Sequence, residues 1–209
     1  MRNKQINQIT VLKYMKIIVI IFSILLIAFI AVQVYFMSSQ KDIESYAYTV
    51  EKKYDKFEVR NYEPSLFSSV KLDSDAYEES SSKGFRILAG YIFGGNDKEE
   101  NIAMTSPVSM SLEKDMTMMF MVPKKFNRET LPTPNQSNIE FVEMPARKLA
   151  AITFGGWANN EKIEEYKQKL IAALAAEGIT HGNKFFYFGY NAPMEVFNRR
   201  NEVLIELGM

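Results

Sequence analysis

Between Ile17 and Met37 the chain runs for 21 residues without a charged side chain (IIVIIFSILLIAFIAVQVYFM), and Ser23 and Gln33 make its strongest hydrogen-bonding demands. A helix of that length rises roughly 30 Å, the thickness of a bilayer's hydrocarbon core. The stretch predicts a transmembrane helix over residues 17–37 and divides the chain into four parts. A basic tail spans 1–16, the helix 17–37, a polar linker 38–47 and a domain 48–209. Arg2, Lys4, Lys13 and Lys16 precede the linker without any acid, while Lys41, Asp42 and Glu44 nearly cancel beyond it. The positive-inside rule then leaves the N-terminus in the cytoplasm and the domain in the periplasm or outside the cell. A cleaved signal peptide and a buried helix of a soluble protein are the rival readings. A signal core ordinarily has about 7–15 residues and a small-residue cleavage site after it. Here Ala28 and Ala31 lie inside the core.

The remaining residues suffice for one domain with its own core. Of 25 basic residues four precede residue 41, so residues 41–209 hold 21 basic and 25 acidic side chains, a formal charge of −4. That balance argues against a nucleic-acid partner, which calls for a basic field. With no cysteine, disulfides, thiolate nucleophiles and cysteine-based metal sites are excluded. His181 is the only histidine, which rules out a three-histidine zinc site. It lies in a turn (GITHG) and reads as a surface residue.

From Tyr48 onward short strands alternate with two helices. Phe57–Tyr62 and Leu66–Leu72 alternate in polarity as strands do. Asp73, Ser74 and Asp75 form a turn and cap cluster ahead of a helix over 75–91, which Gly94 and Gly95 end. Ile102–Leu112, broken by Pro107, and Met116–Val122 follow as strands, the latter apolar on both faces as in a covered strand. A Pro-bearing loop at 124–138 leads to strands at 139–144 and 148–154. A helix over 159–177 carries Ile163, Tyr166, Leu170 and Leu174 on one stripe, and strands at 185–190 and 203–207 close the chain. The domain thus parses twice as strand–strand–helix–strand–strand, in halves of about 48–123 and 139–207. The predicted class is α+β. Two βαββ-type halves form a distorted open β-barrel flanked by two helices, with a groove between helices and sheet.

Motifs of catalysis are weak. No G-x-S-x-G elbow, P-loop or G-x-G-x-x-G occurs, and the acid pairs Glu78/Glu79, Glu99/Glu100 and Glu164/Glu165 read as solvated helix or loop faces. A perturbed carboxylate in a cleft, such as Glu58 or Glu143, would favour an enzyme. The methionine cluster (Met104, Met110, Met116, Met118, Met119, Met121) reads as core packing, or as the wall of a pocket for a flat apolar ligand.

Several separated motifs occur in order: FEVRNYEP at 57–64, GFRILAGYIFGGN at 84–96, IAMTSPV at 102–108, YFGYNAP at 187–193 and RRNEV at 199–203. Together they resemble the SOUL haem-binding proteins over about residues 48–207. The resemblance implies the duplicated half-barrel just described, similar to bacterial GyrI-like effector-binding domains, and binding of haem or another tetrapyrrole without turnover. It implies a site formed by Phe85, Arg86, Leu88, Ala89 and Tyr91 on the first helix of the domain, with Met104, Tyr190 and Met194 nearby. Asn61 stands where some relatives carry a histidine, and Ala89 and Gly90 stand where others carry Met or Lys. The expected contacts are therefore apolar ones on the ring and Arg86 at a propionate, with Tyr or Met as weak iron ligands. The Arg199–Glu202 segment reads as a turn-and-strand lock made by charge-assisted hydrogen bonds. The functional expectation is a membrane-anchored, non-enzymatic haem buffer or carrier. Its alternative is a GyrI-like sensor or partner-binding scaffold that does not take haem.

Overall fold

In the computed structural model, which describes residues 2–39, 43–73, 76–113 and 115–208, the chain divides into two units. One is Met1–Asp42 with Ala192–Phe197; the other is Ile43–Asn191 with Asn198–Met209. The first unit is built on α1 (Arg2–Ser39), whose segment Leu12–Tyr35 is long and apolar enough to cross a membrane, with a mean hydropathy of 3.1. Its Ile, Leu, Val and Phe side chains are exposed along that segment, whereas a core helix of a soluble domain would have them covered.

The second unit contains β1 (Tyr48–Lys53), β2 (Glu58–Tyr62), β3 (Ser65–Lys71), α2 (Tyr77–Ile92), β4 (Val108–Ser111) and β5 (Thr117–Met121). They are followed by β6 (Ile139–Met144), β7 (Arg147–Gly155), α3 (Asn160–Ala176), β8 (Phe185–Gly189) and β9 (Arg200–Glu206). The nine strands form one antiparallel sheet in the order β1-β2-β7-β9-β8-β4-β5-β3-β6. Exchanging β2 for β6, β3 for β7, β4 for β8 and β5 for β9 reverses that order from β2 to β6 and leaves it otherwise unchanged. The duplication read from element order is thus real at the level of topology, with its pseudo-twofold axis between β4 and β8. The halves also trade edges. β2 of the first half pairs with β7 of the second, and β6 of the second pairs with β3 of the first. Neither half closes its share of the sheet alone.

Both helices cover one face. α2 lies on β3 and β5, and α3 lies in the equivalent place on β7 and β9. α3 starts where Asn159 accepts a hydrogen bond from the Lys162 amide at 2.9 Å, and Gly178 at φ +67° takes the left-handed turn after it. Its buried stripe is Ile163, Leu170 and Leu174, each worth ~2 kcal/mol of burial. Gly84 lets α2 sit close. A Cβ there would lie 3.0 Å from Leu72 Cδ1 and 3.1 Å from Met118. The face opposite the helices is filled by a second apolar cluster, including Tyr62, Phe67, Met119, Met121, Leu149, Phe188 and Leu204, with Tyr46 laid over it. The Tyr46 ring lies 4.7 Å from that of Tyr62 and 5.1 Å from that of Phe67. Met119 and Met121 thus belong to one face of β5, and Met118 and Phe120 to the other, as a doubly covered strand requires.

Four details differ from the sequence reading. Residues 43–47 belong to the folded unit. The Tyr46 amide donates to Ser106 O at 2.8 Å, and Ser106 donates back to Glu44 O at 2.9 Å. Ser106 is taken up by those contacts, Ile102 donates to Ile92 O at 2.8 Å and Thr105 Oγ1 to Met121 O at 2.7 Å, and only the part after Pro107 becomes a ladder strand. β1 escaped notice because YTVEKK is exposed and lacks an apolar alternation. α2 begins after Ala76, whose side chain makes no cap bond; Ser74 and Asp75 of the expected cap cluster lie outside the described residues. Truncating Tyr46 to Ala opens the second cluster and is expected to cost about 3 kcal/mol. Urea unfolding in micelles followed by Trp157 fluorescence measures this, and an unchanged midpoint would show that Tyr46 is not part of the core.

Candidate functional site

The first turns of α2 and α3 meet at the seam between the halves. Asn160 Nδ2 donates to Glu78 Oε2 at 2.8 Å, and the Glu78 amide donates back to Asn160 Oδ1 at 3.4 Å. Beneath this clasp lies a cleft of about 500 Å³ lined by Ala76, Tyr77, Leu112, Met116, Asn160, Ile163, Glu164 and Lys167. That volume is within the range of small-molecule sites. Its floor is apolar, with Met116 and Ile163 buried, and its rim is polar. Tyr77 stacks edge-on to Tyr187 at 4.8 Å and donates a long bond to its hydroxyl at 3.4 Å. Tyr187 in turn donates to Asn201 Oδ1 at 2.7 Å, and Asn201 Nδ2 reaches Gly156 O at 2.8 Å. Burial pushes the Tyr77 hydroxyl up, against the opposing pull of Tyr187 and of the Arg199 guanidinium, so this relay is neutral at physiological pH. One cation lines the cleft: Lys167 Nζ lies over the Phe185 ring at 4.8 Å and 3.5 Å from Glu164 Oε2, while Arg199 stacks on Trp157 at 3.9 Å and does not line it. Three further clefts touch α3 alone or no helix.

The residues expected from the resemblance do not come together at one opening. Leu88, Ala89 and Tyr91 point into the helix-side core, and Tyr91, pushed up to about 12 by burial, donates to Pro132 O at 2.9 Å. Phe85 is half-buried against Phe120 at 5.5 Å, and Met104 is half-buried on the same core. Arg86 is exposed on the outer surface of α2 and lines none of the four clefts. Tyr190 lies on the opposite face of the sheet, and Met194 is exposed in the first unit. His181 lies in its turn, partly exposed, with Nδ1 2.7 Å from Gly182 O. Among the described residues no group of His, Cys, Asp or Glu is arranged to hold a metal ion.

The helix-free face holds the most deeply buried carboxylate among the described residues. Glu202 is fully buried on β9. It accepts from Arg60 Nη1 at 2.8 Å and Nη2 at 3.1 Å, and from Arg200 Nη2 at 2.7 Å. Tyr190 Oη donates at 2.7 Å and Thr153 Oγ1 at 3.1 Å. Arg60, itself buried, also reaches Glu58 at 2.8 Å and lies over the Tyr48 ring at 4.4 Å. Burial alone would raise the Glu202 carboxyl, but the bonds and charges of Arg60 and Arg200 outweigh it and hold it below the ordinary 4.5. So saturated a carboxylate has no lone pair to offer a substrate proton or a cationic ligand. It is a lock, as the sequence of residues 199–202 suggested, rather than a catalyst.

Residues 43–206 match the family model described as SOUL heme-binding protein. The chain belongs to the SOUL heme-binding protein family. Heme-binding protein 2 of Homo sapiens is 30% identical over 157 residues, 70% of this chain and 76% of that relative. Heme-binding protein 1 of Xenopus laevis is 28% identical over 155 residues, 70% and 81% of the two chains. Among solved structures the EcmrR C-terminal domain shares the fold with a TM-score of 0.57 at 13% identity, covering 73% of this chain and 97% of that one.

Within this SOUL domain, sequence reasoning missed Tyr77 and Lys167, and it placed Glu202 in a lock without naming Arg60 as its main partner. Lys167 was predictable only as the polar side of an amphipathic helix, and Arg60 was visible only as part of the FEVR motif. Glu202→Gln leaves Arg60 buried with its charge partly unpaired and is expected to cost about 3–5 kcal/mol. Since the folded carboxyl titrates below its unfolded value, its stabilisation is complete above about pH 4.5 and is lost as pH falls further. Thermal unfolding from pH 3 to 7 checks this. The wild type should lose its advantage over the variant at the acid end, and a gap independent of pH would contradict it.

Proposed function

We propose that this protein is a non-enzymatic haem-binding module, tethered by residues 17–37 with its N-terminus in the cytoplasm and its domain on the far side of the membrane, that buffers or carries haem. Family membership across residues 43–206 carries the reading, because the relatives are named for haem binding. The basic flank before the apolar helix and its exposed apolar side chains favour an anchor. The saturation of Glu202 favours binding over turnover.

The cleft between α2 and α3 fits haem better than the outer surface of α2. Met116 and Ile163 offer an apolar floor, Tyr77 an aromatic wall, and Lys167 a cation for one propionate. A haem bound there would supply the visible absorption of its macrocycle, and Met116, the thioether that lines the cleft, would be available to it only as a weak ligand. The domain's own part is to desolvate the ring and orient its acids.

Haem titrated into the full-length protein in micelles should shift the Soret band and quench Trp157, the single tryptophan. Lys167→Glu should weaken binding about tenfold, the loss of one good contact of ~1.5 kcal/mol, while Arg86→Glu leaves the dissociation constant unchanged. The reverse pattern would move the ligand to the outer face of α2. No spectral or fluorescence change at micromolar haem would remove haem binding altogether.

A further inference from the structure

The first unit contains a contact that the haem reading does not use. Gln33 is the one amide between Ile17 and Met37, and within Leu12–Tyr35 it is the exception to the exposure of the side chains, with only 5% of its surface accessible. Its Nε2 donates to Met194 O at 3.1 Å, and its Oε1 accepts from the Val196 amide at 3.1 Å. The loop Ala192–Phe197 between β8 and β9 thereby satisfies both ends of a side chain that hydrocarbon would leave unpaired at a cost of several kcal/mol. Deeper along α1, the ring of Phe197 meets that of Phe29 edge-on at 6.3 Å.

Helix rise converts these partners into depth. Tyr35 ends the apolar segment. At 1.5 Å per residue Gln33 lies roughly 3 Å inside that end and Phe29 roughly 9 Å inside it. A side chain touching Phe29 is then at acyl-chain level. The loop's outward side chains suit that place. Pro193, Met194, Val196 and Phe197 are exposed, the loop has no basic residue, and its one acid, Glu195, is turned in with 2% of its surface accessible. In water this would be a costly apolar tip; in lipid it continues the apolar face of α1.

We infer that Ala192–Phe197 is a second membrane-inserted element, seated on α1 by Gln33 and embedding Met194, Val196 and Phe197 in the acyl-chain region of the leaflet on the domain's side. The inference rests on the reading of α1 as an uncleaved anchor. It gives Met194 a lipid contact in place of the haem contact expected from the family resemblance.

The absence of cysteine makes the test clean. Single cysteines at Phe197→Cys, Ile27→Cys and Asn183→Cys (beyond the other end of β8) are labelled with an environment-sensitive nitrobenzoxadiazole dye. The full chain is reconstituted in phosphatidylcholine/phosphatidylglycerol vesicles. Dye at 27 and at 197 should emit at shorter wavelength, be quenched by nitroxides on lipid acyl chains and be shielded from aqueous iodide, while dye at 183 answers to iodide. Gln33→Leu should reduce lipid quenching at 197 and leave 27 unchanged. Lipid quenching at 27 with iodide quenching at 197 overturns the inference and spares the anchor. Dye at 197 shielded from both quenchers would mean a second copy or other protein covers the loop, which also overturns it. Iodide quenching at 27 removes the anchor and the loop insertion together.

Discussion

The buried pair between Arg60 and Glu202 is the constraint on which the domain's arrangement depends. Arg60 comes from the first half and Glu202 from the second, and the strand between them, β7, brings Thr153 to the same carboxylate. A carboxylate in this place without its guanidinium would cost several kcal/mol. The pair therefore tolerates one register of β2, β7 and β9 and penalises slips that an apolar core alone would accept. Arg200, Tyr190 and Tyr48 complete the knot from the rim. With that face held by ionic contacts at one end and filled by Tyr46, Phe67 and Phe188 next to it, space for a ligand falls to the helix side.

Strand exchange explains why that space lies at the seam. Each half lends an outer strand to the other, so the sheet is continuous through the axis between β4 and β8. The helices are not continuous. α2 and α3 each cover their own strands and meet only at their first turns, where Glu78 and Asn160 clasp. The cleft beneath is what two helices leave over a twisted sheet when they touch at one end. Its residues come from both halves, so no single motif marks it.

The α+β class, the two helices, the internal duplication and most strands were legible because apolar periodicity reports which face is covered. The Ile163–Leu174 stripe and the doubly apolar β5 are instances. What escaped was held by polar or sparse contacts. Residues 199–202 read as a charge-assisted turn-and-strand lock, but the strand was expected only from Val203, although β9 begins at Arg200, and Arg60 went unnamed, because burial of a charge depends on partners far away in sequence. The arm at 43–47 read as linker because its one large anchor, Tyr46, stands among polar residues. The expected ligand residues on α2 carried the family motif, yet Leu88 and Tyr91 in that motif serve the core and Arg86 faces outward. The motif marks how α2 packs as much as what it binds. Gln33 showed as an oddity in an apolar run, but its loop partner lies more than 160 residues away.

Hydrogen–deuterium exchange with and without haem tests the central claim most directly, that ligand enters at the junction of the two helices. The first amides of a helix lack intrahelical acceptors and exchange readily. A ring seated over Met116 and Ile163 should slow exchange in the opening turns at 77–80 and 160–164 and leave the outer surface of α2 from Arg86 to Phe93 unchanged. Protection confined to 86–93, or none at saturating haem, would contradict the account.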